Sequence, residues 1–200
     1  MELYFVRHGE TEKNREKCLQ GRSNAPLNMR GAQQAEQARV FFAEREIHFD
    51  EVYASPLRRA EQTARIIAGE TAEIRKDDRL LEMDYGPYEG VSLENPPPEL
   101  VHFFGDFIHN PAPAGMESLE HVIGRLGGFV EWLKETAHGS ILIVTHAVAM
   151  KGALEYLTPG SHGSYWPKYI GTCSVYHTSL IGDEFTVPEE IFTLVNEPGV

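Results

Sequence analysis

An α/β fold, with helices on both faces of a mostly parallel sheet, follows from three features of this 200-residue sequence. Short apolar runs alternate with longer segments of helical periodicity, which is the pattern of parallel βαβ units. The run SILIVT at Ser140 to Thr145 reads as a strand and leads at once into a helix-forming stretch. No internal repeat or low-complexity linker divides the chain, and its length fits one domain, residues 1–200, with a substantial core.

The elements follow in order. Glu2 to Val6 reads as a buried strand. The turn-like Asn24-Ala25-Pro26 precedes an amphipathic helix over Met29 to Glu46. Asp50 to Ala54 gives a second strand, and Leu57 to Gly69 a helix closed by glycine. Ile74 to Lys76 suits a short edge strand. Glu117 to Thr136 is the longest helical segment, with Leu119, Val122, Ile123, Leu126, Phe129, Val130 and Leu133 on one face. After SILIVT, Val148 to Leu157 continues as helix, and Ser174 to Ile181 and Glu190 to Val195 read as late strands. The stretch from Met83 to Met116 contains Pro96-Pro97-Pro98 and Pro111-Ala112-Pro113 and shows no period. A long irregular insertion inside a compact domain is expected to be a lid or binding segment, here about residues 83–116.

Composition narrows the function. A net charge of −12 disfavours nucleic acid and anionic membranes as partners. There is no secretory leader pattern and no apolar run long enough to span a bilayer, so a cytoplasmic location is expected. Cys18 and Cys173 form no metal-ligand spacing and are expected as free thiols. The remaining histidines show no ligand spacing either, so no metal site is expected. A homodimer is left open.

Ligands of open α/β sheets bind beyond the carboxyl ends of the strands. His8 follows the first strand, Ser55 and Pro56 the second, and His146 the run ILIVT. Arg59 lies at the start of the next helix. Arg7, His8, Arg59 and His146 can therefore converge on one sheet edge, and two arginines with two histidines there suit a phosphate. The arginine fork matches phosphate oxygens bidentately. A neutral imidazole can attack phosphorus, while a protonated one can hold the oxygens of the transition state. Glu82, in LLEMDYGPYEG, is the candidate acid for the leaving oxygen. Taken singly, His8 and His146 read as ordinary polar residues after strands, and Glu82 as a surface carboxylate.

The blocks RHGET with Asn14 beyond it, QGRSNAPLNMRGAQQA, SPLRRAEQTA, LLEMDYGPYEG, MESLEHV and VTHAVAMKGAL occur in that order. Together they resemble the histidine phosphatase superfamily, which includes cofactor-dependent phosphoglycerate mutases, over residues 3 to about 156. The resemblance implies a three-layer αβα sandwich and a chemistry that needs no metal; no cofactor is expected. It implies His8 as nucleophile, Glu82 as proton donor and His146 as the second histidine. It also implies Arg7, Asn14, Gln20, Gly21 and Arg59 as phosphate- and substrate-binding residues. Two departures stand out: Ala147 follows His146 where the family commonly has glycine, and Met116 interrupts the usual P-x-G-E-S lid pattern.

Three functions fit such a chain: a phosphomonoesterase acting on small monoesters, a phosphoglycerate mutase, or a non-catalytic family member. The last is disfavoured because every catalytic group is present. A mutase would need extra cations around the leaving group, yet no lysine or arginine lies between Arg79 and Arg125. That interval carries Asp84, Glu89, Glu94, Glu99, Asp106, Glu117 and Glu120 instead, which favours a phosphatase. If a lid carboxylate faced the leaving group, an amino-alcohol phosphate such as phosphoserine would be preferred. Lys151, Lys168 or Arg22 approaching from elsewhere would weaken that argument. Of the lid aromatics, Tyr85, Tyr88, Phe103, Phe104 and Phe107, most are expected to pack against the body of the protein.

Overall fold

The computed structural model describes residues 1–194. Its elements are β1 (Glu2–Arg7), α1 (Glu12–Arg15), α2 (Met29–Glu44), β2 (Glu51–Ala54), α3 (Arg58–Ala68), β3 (Ile74–Lys76), α4 (Pro98–Gly105), α5 (Leu119–Thr136), β4 (Ser140–Thr145), α6 (Ala147–Leu157), β5 (Val175–Ile181), β6 (Glu184–Phe185) and β7 (Glu189–Phe192). The strands order as β3-β2-β4-β1-β5-β6, with β7 also on β5. β3, β2, β4 and β1 run parallel, whereas β5, β6 and β7 are antiparallel additions, so the sheet is mixed. The expected edge strand Ile74 to Lys76 does lie at the edge.

Strand alternation divides the core into two faces. Leu3, Phe5, Tyr53, Ile141 and Ile143 pack with α5 and α6 on one side. Tyr4, Val6, Val52, Ala54, Leu142 and Val144 pack with α2 and α3 on the other. This is the three-layer arrangement. On α5 the expected stripe is buried at Leu119, Val122, Leu126, Phe129, Val130 and Leu133, while Ile123 sits at its margin. Each such side chain contributes about 1.5–3 kcal/mol by leaving water.

Helix boundaries move for local reasons. α2 begins where the Asn28 side chain accepts from the Gly31 amide, and it stops before Glu46, whose φ of 55° leaves the helical region. α5 begins at Leu119 because Ser118 caps it, which frees Glu117 for other bonds. Gly69 ends α3 at φ 96°. The expected strand to Val195 ends at Phe192, and Val195 itself lies outside the described residues.

The stretch 83–116 is not uniformly irregular. Its α4 buries Leu100 and Phe103 completely in the α5–α6 side of the core. Phe103 and Phe107 meet at 5.0 Å, and Phe107 stacks on Trp166 at 6.1 Å. Pro98 in the first turn of α4 costs nothing there, since that N–H has no intrahelical partner. Among the described residues, no helix is long and apolar enough to cross a membrane.

Candidate active site

Register alone brings the two histidines together. Arg7 pairs with Thr145 across parallel β1 and β4, so the next residues, His8 and His146, leave the same edge side by side. Their ring centroids are 5.1 Å apart, about one strand spacing. On the other side of β4, Ala54 pairs with Val144, which delivers Ser55 beside His146. The Ser55 hydroxyl lies 2.7 Å from His146 Nε2. Behind His8, Gly9 allows the chain to press against the start of α2. A Cβ on Gly9 would stand 2.4 Å from the Gly31 carbonyl oxygen.

Arg59 is the largest fully buried side chain, and it joins the two rings. Its Nε–H lies 3.2 Å from both His8 Nε2 and His146 Nδ1, while its two terminal nitrogens donate to the Ser23 and Gly21 carbonyls at 2.7 and 2.8 Å. Those bonds fix the tautomers. His8 donates from Nδ1 to the Gly9 carbonyl at 2.6 Å, which leaves Nε2 as an acceptor with a lone pair. His146 accepts at Nδ1 and donates from Nε2 to Ser55. Burial, with Arg59 and Arg7 close by, pushes the His8 imidazole well below its ordinary value. Burial, with Arg59 and His8, does the same to His146. Both rings are therefore neutral at neutral pH. Burial lowers the Arg59 guanidinium to about 10, opposed by Glu82 and Glu89, so it remains a cation.

Glu82 is buried at the N-terminus of α6. Its Oε1 accepts from the Met83 and Ala149 amides at 2.9 Å, and its Oε2 from Val148 at 3.2 Å. Oε2 thus keeps the greater share of free lone-pair capacity. A hydroxyl-linked pair completes the near side: Thr11 Oγ1 donates to Gln20 Oε1 at 2.8 Å, and Asn14 Oδ1 accepts from the Thr11 amide at 3.0 Å. Buried Gln20 Nε2 and Arg7 Nε have no hydrogen-bond partner among the described residues. Arg7 otherwise donates to the Ile170 carbonyl.

Arg7, His8, Asn14, Gln20 and Glu82 line one cavity of about 580 Å³, into which Cys18 also opens. Arg59, His146 and Gly21 stand behind this surface. Arg59 is held by Gly21, whose amide is in turn held at 3.0 Å by the Glu89 carboxylate. Glu89 also accepts from the Arg22 and Ser23 amides. Thr11 and Glu89 are neighbours of the site that the motif reading passed over. Ser55, which the sequence places just past β2 at the same edge as His146, had no role assigned to it.

Elsewhere the cavity is walled by apolar side chains, Leu93, Leu100, Val101, Phe104 and Phe107 among them, with Lys151 as a further cation that feels both Glu82 and Arg7. None of the acids of stretch 83–120 lines it. Glu89 binds the loop at 21–23, and Glu117 pairs with Arg125, Arg22 and His121. Glu94 pairs with Lys17, Asp106 with His109, and Glu99 accepts from the Tyr88 hydroxyl. The charge of the lid thus lies off the cavity, and the argument from it to a cationic leaving group does not hold. Phe103 packs in the core as expected, whereas buried Tyr85 and the half-buried Phe104 and Phe107 reach the cavity.

Comparison with known proteins follows the same lines. Phosphoserine phosphatase 1 of Hydrogenobacter thermophilus is 30% identical over 171 residues, covering 83% of this chain and 80% of the relative. A protein of Escherichia coli named probable phosphoglycerate mutase GpmB is 31% identical over 156 residues, 75% of this chain and 71% of that one. The crystal structure of phosphoserine phosphatase from Entamoeba histolytica, in complex with 3-phosphoglyceric acid, superposes with a TM-score of 0.79 at 25% identity, covering 96% and 95% of the two chains. The family pattern described as histidine phosphatase superfamily (branch 1) matches residues 3–190, and the chain belongs to that family of enzymes.

Proposed function

We propose that the protein is a metal-independent phosphomonoesterase that hydrolyses small phosphate monoesters through a phosphohistidine on His8. The observation that supports it most is the state of the His8 ring. Its Nδ1–H is tied to the Gly9 carbonyl, and its neutral Nε2 shares a cavity with Glu82 and with unpaired donors on Arg7 and Gln20. A dianionic phosphoryl group suits those donors.

In the first step the His8 Nε2 lone pair forms a bond to phosphorus as the bond to the ester oxygen breaks. Arg7 and Gln20 hold the equatorial oxygens, and Arg59 supplies positive potential from behind while neutral His146 accepts from its Nε–H and holds it in place. Glu82 gives its proton to the departing alkoxide, so that a neutral alcohol leaves. The Gly9 carbonyl stabilises the positive charge that develops on the imidazole. In the second step the Glu82 carboxylate takes a proton from water as the water oxygen attacks phosphorus. Inorganic phosphate departs and neutral His8 returns. The stretch 83–116 acts as a lid over the leaving group.

Hydrolysis is favoured over phosphoryl return because the leaving-group end of the cavity is mainly apolar, with Lys151 as its cation. Phosphoserine remains a reasonable substrate on different grounds from its amine. Relatives bear that name, and phosphoserine carries a carboxylate that a lysine can meet. The test is phosphate release from p-nitrophenyl phosphate, phosphoserine and 3-phosphoglycerate, run beside an assay for 2-phosphoglycerate. Phosphate release that disappears in His8→Ala is the expected result. Rapid formation of 2-phosphoglycerate with little phosphate would identify a mutase and overturn this reading.

A further inference from the structure

We propose that Lys151 sets the specificity of the leaving-group end, and that the substrate is a phosphate monoester whose alcohol carries one carboxylate on a mainly apolar frame. The proposal rests on the phosphomonoesterase reading and names its substrate class.

Lys151 stands on α6 just beyond the amides that hold Glu82, and its side chain is drawn inward among Phe107 and Trp166. Its Nζ donates to the Trp166 carbonyl at 2.6 Å and lies 5.4 Å from the centre of the Phe107 ring. Among the described residues it has no carboxylate within ion-pairing distance, in contrast to Lys13, Lys17, Lys76 and Lys134. A half-buried ammonium without an anion is unfavourable, and such groups are ordinarily paired. Here the side that lacks a partner opens on the cavity. Burial lowers this lysine to about 8, with Glu82 opposing and Arg7 reinforcing the shift. It is therefore mostly charged at neutral pH and poorly hydrated.

The number of free donors selects the anion. An ammonium has three N–H groups, and the Trp166 carbonyl takes one. The remaining two match the two oxygens of a carboxylate. A second phosphate, with two charges and three oxygens, would require further donors that Leu93, Leu100, Val101 and Phe104 do not offer. A cationic amine with no carboxylate beside it would be repelled by Lys151 and would gain nothing from those walls. The apolar walls beside Lys151 suit methylene or aryl carbons joining the two anionic groups.

The test uses a matched pair, 4-phosphooxybutanoate and 4-phosphooxybutanamide, which differ only in the charge at the far end. We expect kcat/KM to favour the carboxylate by about 30-fold or more in the native enzyme. Lys151→Met, similar in size but neutral, should bring the ratio close to one, and Lys151→Arg should restore most of it. A native enzyme that hydrolyses both esters equally, or a Lys151→Met ratio equal to the native one, would overturn the proposal. Calorimetric binding of 5-phosphonopentanoate and its amide gives the same comparison without turnover. A carboxylate preference in binding by a protein that hydrolyses nothing would remove the phosphatase reading and leave the subsite. Equal binding of the pair would remove the subsite, whatever the activity.

Discussion

Replacing Ser55 by alanine isolates the tautomer on which the whole site depends. The Ser55 hydroxyl accepts from His146 Nε2 at 2.7 Å, and both residues are fully buried. Alanine leaves the Nε2–H with no acceptor and no access to water. The ring cannot escape by moving its proton, because an Nδ1–H would then face the Arg59 Nε–H at 3.2 Å, donor against donor. A buried donor without a partner costs about 1–3 kcal/mol. The variant should therefore lose about 2 kcal/mol in urea denaturation with an unchanged slope. Turnover of p-nitrophenyl phosphate should fall about 10- to 30-fold, the rate equivalent of an energy of that size. Nitrogen-15 correlation spectra of the imidazoles supply the direct readout: a single Nε2–H tautomer for His146 in the native protein, and a mixture or a broadened ring in Ser55→Ala. A native His146 carrying its proton on Nδ1 would refute the reasoning. So would a stability change below about 0.5 kcal/mol, which is what an ordinary surface substitution gives.

Two further outcomes follow from the same geometry. Glu82→Gln should slow alkyl phosphates by about 10²–10⁴-fold, the usual range for a general acid, and p-nitrophenyl phosphate far less because its phenolate departs unaided; equal losses on both substrates would assign the proton to another group. The two buried histidines should make the fold acid-sensitive. Their folded values lie well below the 6.5 of the free side chain, so below that pH the unfolded chain binds protons that the folded one refuses. Their contribution is fully present above about pH 6.5 and is lost as the pH falls, by up to about 1.4 kcal/mol per unit for each ring. His8→Asn and His146→Asn should each flatten the fall in urea midpoint between pH 7 and 5.5. Slopes identical to the native one would show that the rings are not buried as neutral bases.

Much of this architecture is local and was legible in the chain. SILIVT, the helical stripe from Leu119 to Leu133, and the edge strand Ile74–Lys76 each depend on residues near in sequence. The antiparallel turn of β5 onto β1 is a long-range pairing without a local signal, and the two-residue β6 is too short to have one. α4 was hidden because three prolines precede or open it, although proline is compatible with a first turn. Arg7, His8, Asn14, Gln20 and Glu82 were named from motif and do share a cavity. The turning of the lid acids away from the cavity was not readable, because composition counts charges without saying which basic groups and amides they meet.

By itself, then, the sequence determined the periodicities that make a layered sheet, the residues placed just past β1, β2 and β4, and the family to which they belong. Only the tertiary structure decided the electrostatics. One Arg59 Nε–H lies between two imidazoles and requires both to be neutral. Glu89 and Glu117 are drawn away from the cavity by amides and arginines distant in sequence. Lys151, unremarkable within AVAMKGAL, becomes a cation against apolar walls with no carboxylate partner among the described residues. Side-chain type is written in the chain, but the protonation state and the direction of a charge depend on burial and on neighbours that only folding brings within hydrogen-bonding distance.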